Sequence, residues 1–167
     1  MIKRSWPPPT LKHLCRLTDD CGVLQHAKFW FPDYSAGYCV DDNARALIVA
    51  RNHYRLFSDE VSHELMVRYL AFIFYMQRRD GKVRNFIDYT RNFLEDEGSP
   101  DSLGRTIWGL GHIATVDEEY LSIPAQEMFH RALAHLAPGM DPMALAYGTL
   151  GLTAYGEYPE RRDEARR

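Results

Sequence analysis

The sequence is short of the features that most often declare a function. It has 3 cysteines, Cys15, Cys21 and Cys39, odd in number and with no CxxC pair. That argues against a disulfide framework and makes buried free thiols the plain reading, with no zinc site expected from these cysteines and His26 and no metal elsewhere. No uncharged apolar run reaches the roughly 20 residues of a membrane span. The most apolar stretch, Tyr69 to Met76, is bracketed by Arg68 and Arg78. Nor is there an excess of positive charge: a net charge of -3, with cations mixed among acids, gives no footprint for nucleic acid. The first residues, Met1 to Pro9, start basic but lack the apolar centre of a signal peptide, so a cytoplasmic location is expected. A Gly-rich phosphate loop, a dinucleotide fingerprint and an HExxH helix are also missing, which leaves no cofactor expected and little support for nucleotide-sugar chemistry within the chain.

What is there fits an ordinary globular protein. The 167 residues, 46% hydrophobic and 26% charged, suffice for one domain over 1-167 with a real core. Pro7-Pro8-Pro9 predicts an extended lead-in over 1-9. Leu11, Leu14, Cys15 and Leu17 predict a short amphipathic helix, and Thr18 to Gly22 a turn. Val23 to Tyr38 reads as a long irregular connection carrying Phe29, Trp30, Phe31 and Tyr34.

From Asp42 to Phe57 and from Val61 to Gln77, apolar residues recur at helical spacing, and Ser58-Asp59-Glu60 ends the first helix and caps the second. Two long helices joined so tightly predict an antiparallel hairpin. Lys82 to Tyr89 reads either as a brief strand or as extended chain. A third helix is expected over Leu103 to Ala114, and a fourth from Pro124, at its first position, to Ala137. A fifth runs from Asp141-Pro142 to about Tyr155, and the charged stretch from Pro159 to Arg167 starts like a sixth.

A weak repeat links three helix starts: Asp41-Asp42-Asn43-Ala44-Arg45, Asp101-Ser102-Leu103-Gly104-Arg105 and Asp141-Pro142-Met143-Ala144-Leu145. Each reads as an aspartate N-cap followed by a helix rich in small residues, whereas the intervening helices are longer, more charged and one-sided. The fold class expected is all-α, built of repeated antiparallel helical hairpins with inner and outer helices. Inner helices that begin at the same end would gather Asp41, Asp42 and Asp101, with Asp141 as a further candidate, round one mouth.

Three segments carry a resemblance. Thr18-Asp19-Asp20-Cys21-Gly22-Val23-Leu24-Gln25-His26-Ala27, Gly37-Tyr38-Cys39-Val40-Asp41-Asp42-Asn43-Ala44-Arg45-Ala46-Leu47 and Gly98-Ser99-Pro100-Asp101-Ser102-Leu103-Gly104-Arg105-Thr106-Ile107-Trp108-Gly109-Leu110-Gly111 are similar to signature segments of a bacterial (α/α)6-toroid domain. That domain is of the six-hairpin glycosidase-like type and is often found beside glycosyltransferase modules. The resemblance implies a partial (α/α)6 toroid of about three of six hairpins, an N-terminal half whose exposed inner surface would be covered by a missing half, a partner or a second copy. It also implies an oligo- or polysaccharide partner, and a glycosyltransferase as a neighbour.

In that context Asp42, Asp101 and Asp41 are candidate catalytic acids. Glycoside cleavage needs a proton donor for the leaving oxygen and a second carboxylate that activates water or attacks the anomeric carbon. Asp41 and Asp42, being adjacent, point differently, so Asp101 is the natural partner of the pair. The bland alternative is one cap and one solvated or Arg45-paired acid. Arg45 and Arg105 each follow an aspartate by one turn, as ion-pair partners or as groups that orient the acid. Gln25, His26, Tyr38 and Trp108 complete the candidate glycan-binding set, with Glu97 in reserve. Three classes of function remain open: a glycoside hydrolase, a glycan-binding partner of a glycosyltransferase, and an interaction scaffold.

Overall fold

A computed structural model describes residues 7–156. The expected lead-in over 1-9 therefore falls mostly, and the helix start at Pro159 to Arg167 wholly, outside the described residues. The architecture is all-α. Helix α1 (Lys12–Arg16) leads into two-residue strands β1 (Ala27–Lys28), β2 (Phe31–Pro32) and β3 (Tyr38–Cys39). Long helices α2 (Val40–Phe57) and α3 (Glu60–Met76) follow, then β4 (Phe86–Ile87), α4 (Pro100–Ile113), α5 (Glu119–Leu133) and α6 (Pro142–Gly156). β1 pairs antiparallel with β2, and β3 with β4 in the register Tyr38↔Ile87 and Cys39↔Phe86. The stretch that read as either strand or extended chain is thus a strand only at Phe86–Ile87.

Helix α4 lies between α2 and α6, while α3 packs on α2 and α5 on α4. Small residues govern the central row. A Cβ on Gly104 would sit 2.6 Å from the Ala144 carbonyl oxygen, and one on Gly151 would sit 2.5 Å from the carbonyl oxygen of Ile107. Backbones that approach this closely exclude any larger side chain. Because Gly104 faces Ala144 and Gly111 faces Gly151, α4 and α6 run in the same direction. The core between the rows is filled by Leu47, Met66, Ile73, Ile107, Leu110 and Phe129, all essentially without solvent contact.

Helix starts differ from expectation in two of three cases. Neither Asp41 nor Asp42 caps α2: the N-cap is Cys39, held extended by β-pairing, and no side chain of its own caps the turn. The orphan amides are taken from outside, since Val40 N donates to Asn85 O at 2.8 Å and Asp41 N to Asn85 Oδ1 at 3.3 Å. For α4 the cap is Ser99, whose Oγ accepts from Ser102 N at 3.2 Å, with Pro100 behind it and Asp101 inside the first turn. Asp141 does serve its helix start, accepting from Met143 N at 2.8 Å. Helix α5 begins at Glu119, so Pro124 lies inside it rather than at its first position. Leu121 and Ala125 are both buried there, and packing carries the helix through a residue that forfeits one backbone bond.

Candidate functional site

The first turns of α2 and α4 start at the same end of the helix row and bring three charged groups together. Arg105 Nε donates to Asp101 Oδ2 at 3.0 Å, one helical turn back, and lies 4.0 Å from Asp41 Oδ1 across the helix pair. Two oxygens so placed round one atom are at most about 7 Å apart, a separation compatible with the carboxylate spacing of retaining or of the tighter inverting glycosidases. The guanidinium lies over the Tyr147 ring of α6 at 4.5 Å, and that ring stacks on Trp108 with centroids 5.4 Å apart. Three neighbouring helices therefore each contribute to one charged, aromatic-walled cluster.

Its electrostatics are uneven. Asp41 Oδ1 and Asp101 Oδ1 are both buried without a hydrogen-bond partner among the described residues. Burial raises the Asp41 carboxyl above the usual range; the Arg105 charge pulls it back only in part, and the Asp101 charge pushes it further up. For Arg105, burial acts to lower the pKa, yet the bond to Asp101 and the charges of Asp101 and Asp41 outweigh it and the guanidinium is held more firmly charged. The arrangement is a protonatable acid and an ion-paired acid sharing one cation.

Asp42 is turned elsewhere. It forms an i,i+3 ion pair with Arg45 and accepts from the Cys39 thiol at 3.0 Å. That carboxylate, after burial, helps to push the Cys39 thiol upward. Of the two adjacent acids, the one brought next to Asp101 is therefore Asp41, while Asp42 pairs with Arg45. The exposed Arg45 completes its local set by donating from Nε to the Asp41 carbonyl at 3.3 Å.

The remaining candidates are scattered. Tyr38 is buried, and its hydroxyl donates to Asp19 Oδ2 at 2.5 Å, so its ring offers no open face to a ligand. Gln25 is half-buried and tied by its backbone to Gly37, and His26 is exposed on the loop that precedes β1. Trp108 is half-buried at the cluster itself. Glu97 pairs with Lys82 at 2.9 Å, while its neighbour Glu95 accepts from Asn85 N at 2.6 Å.

Two residues of the cluster had not been singled out. Asn85 organises the α2 start, and Tyr147 floors Arg105 from α6. Only the Asp-helix repeat hinted at Tyr147, by placing α6 beside α4. Asn43 was also passed over: it is fully buried, accepts from Val23 N at 3.0 Å and donates to Cys39 O at 2.9 Å, strapping the Thr18–Val23 turn to the mouth.

Neither protein-family models nor curated proteins yield a match to the chain. Among the described residues no group of three or more His, Cys, Asp or Glu could hold a metal ion, and no helix is long and apolar enough to cross a membrane. The geometry must carry the functional reading.

Proposed function

We propose that the chain is a carbohydrate-active domain, an arc of an (α/α)6 toroid of the six-hairpin glycosidase-like kind, that binds a glycan at the mouth formed by the first turns of α2 and α4. The parallel row of α2, α4 and α6, with α3 and α5 outside it, supports the toroid reading. The observation that carries the site is the shared Arg105, with Asp41 and Asp101 on either side and, on each acid, a buried oxygen that accepts no hydrogen bond among the described residues. Unfilled acceptor capacity is uncommon for buried carboxylates and suits groups that meet a substrate.

In the hydrolytic form, Asp41 is the proton donor: burial favours its neutral form, and its proton goes to the glycosidic oxygen as the bond to the anomeric carbon breaks. Asp101 takes a proton from the attacking water, or itself attacks that carbon and is released by water in a second step. Arg105 keeps Asp101 oriented, and Tyr147 and Trp108 supply apolar faces for a pyranose ring.

A second reading has its own support. The guanidinium lies between the two acids, where a scissile oxygen would have to sit, and this favours a domain that holds a polysaccharide for a neighbouring glycosyltransferase without cleaving it. Glycan-array binding followed by product analysis decides. Turnover that disappears in Asp41→Asn and Asp101→Asn with binding retained establishes the hydrolase, and the anomer released first reports the outcome at the anomeric carbon. Binding without turnover establishes the holding module. If neither appears, and the substitutions alter only the melting temperature, the cluster is structural.

A further inference from the structure

Away from the mouth, the chain displays three consecutive aromatic side chains to solvent. The β1–β2 hairpin turns through Phe29 and Trp30, and Phe29, Trp30 and Phe31 are 93%, 65% and 71% exposed. Scattered surface aromatics need no account, but three in a row at the tip of a hairpin form a projecting apolar point. Phe29 also has φ 56, in the left-handed region that bulky side chains rarely adopt. The two-residue turn sets that conformation at its first central position, where glycine is the usual residue, and here the position holds a phenylalanine turned to water.

Charge accompanies the tip. Trp30 leans on α1, with the Arg16 guanidinium 5.1 Å from its ring centroid and His13 edge-on at 5.6 Å. Helix α1 presents Lys12, His13 and Arg16 to solvent and contains no acid. On the hairpin, Lys28 is paired with Asp33 at 3.5 Å, whereas Lys12 and Arg16 have no carboxylate partner among the described residues. The chain as a whole is acidic, with a net charge of -3, so this basic rim is a local departure.

We propose that the β1–β2 hairpin is a peripheral membrane-contact element that inserts Phe29, Trp30 and Phe31 into the interface of an anionic lipid bilayer, with Lys12, Arg16 and Lys28 meeting the headgroups. Aromatic rings favour the boundary between headgroup and acyl chain, and cations beside them bind an acidic leaflet. A sugar platform fits less well, because Arg16 already approaches the Trp30 ring, and Lys28, the one charged side chain between Ala27 and Pro32, is paired with Asp33. The inference is independent of the glycan reading, since no part of the mouth lies in the hairpin.

The test is vesicle flotation of the full 167-residue chain with phosphatidylcholine alone and with about 30 mol % phosphatidylserine. Binding is expected on the anionic vesicles and weak on the neutral ones. Each of Phe29→Ser and Trp30→Ser should weaken it about tenfold or more. Lys12→Gln and Arg16→Gln should weaken it about fivefold each. Raising salt from about 0.05 to 0.5 M should erode it further, because headgroup attraction is screened over about a Debye length. The tryptophan emission should shift to the blue on binding, and Trp30→Phe should abolish that shift while flotation persists. Circular dichroism with unchanged melting shows that the variants remain folded. No flotation on anionic vesicles, or flotation indifferent to the tip, overturns the proposal. So does a tip variant that instead dissolves a dimer seen by light scattering, or that removes glycan binding without affecting vesicles.

Discussion

Two aspartates near helix starts in this molecule have opposite surroundings. Asp59, at the joint between α2 and α3, has both oxygens engaged: Oδ1 accepts from Ser62 N at 3.0 Å, and Oδ2 receives Ser62 Oγ at 2.6 Å and contacts His53 Nδ1 at 2.8 Å. The bonds from Ser62 lead the effects that bring its pKa down to about 2. Asp41, at the mouth, has a buried oxygen that accepts no hydrogen bond among the described residues, only the Arg105 charge at 4.0 Å, and a pKa pushed the other way by burial. One carboxylate is spent on holding a helix end. The other is kept short of bonds where a fold seeking only stability would have filled them. The difference separates an acid whose bonds build a helix joint from one whose surroundings leave it protonatable, which is what the proposed glycan site requires.

The largest expected effect breaks or upholds that contrast directly. Replacing Asp41 or Asp101 by Asn should lower kcat by about 10²–10⁴-fold once a hydrolysed glycan is identified, whereas Asp59→Asn should leave kcat unchanged. Equal losses at both places, measured in one product assay, would erase the distinction. Next in size is a change to the frame of the mouth. Gly104→Val forces a side chain against the Ala144 backbone and should destabilise by about 1–3 kcal/mol in chemical denaturation. Because it moves α6, it should also weaken glycan binding through Tyr147.

Two smaller effects sharpen the comparison through pH. The lowered pKa of Asp59 means that its contribution is fully present above pH 3.8 and fades as pH falls through about 2. Asp59→Ala should therefore lower the melting temperature at neutral pH, and the deficit should close below pH 3.8. Asp41 has the opposite sign. A raised folded-state pKa favours the fold below 3.8, and the advantage is lost as pH rises. Asp41→Asn should consequently melt slightly higher than the natural chain at neutral pH, with the gain shrinking on acidification. A stabilising substitution that removes function would mark this acid as retained for function.

Much of the fold was legible because helical periodicity is strong here. The α2–α3 hairpin, its Asp59 cap and the α6 start at Asp141 all follow from local spacing. The repeat of small-residue helices also put Asp41 and Asp101 at one end, although the Asp42 expected with them turns to Arg45. What failed was whatever distant chain decided. Asp41 and Asp42 looked like caps because nothing local reveals that Asn85, 44 positions on from Asp41, takes the amides instead. The choice between Asp41 and Asp42 was likewise settled by neighbours: Arg45 and the Cys39 thiol claim Asp42 and leave Asp41 facing α4. Pro124 misled because burial of Leu121 extends α5 past a residue that usually opens a helix. Tyr38 sits in a motif rich in loop residues, yet pairing with Ile87 draws it into the core.

The contact of α4 with α6 also has a mechanical side. Where Gly104 meets Ala144 and Gly111 meets Gly151, the two helices touch through backbone, with no side-chain rotamers to readjust. Such a seam does not slide by small repacking, so Arg105 and the Tyr147 ring beneath it travel as one piece. The join of α2 to α4 is looser: a Cβ on Gly109 would still stand 3.0 Å from the Ala44 carbonyl oxygen. Any widening of the mouth is thereby directed into the gap between α2 and α4. Asp41 forms one jaw, and Asp101 with Arg105 forms the other.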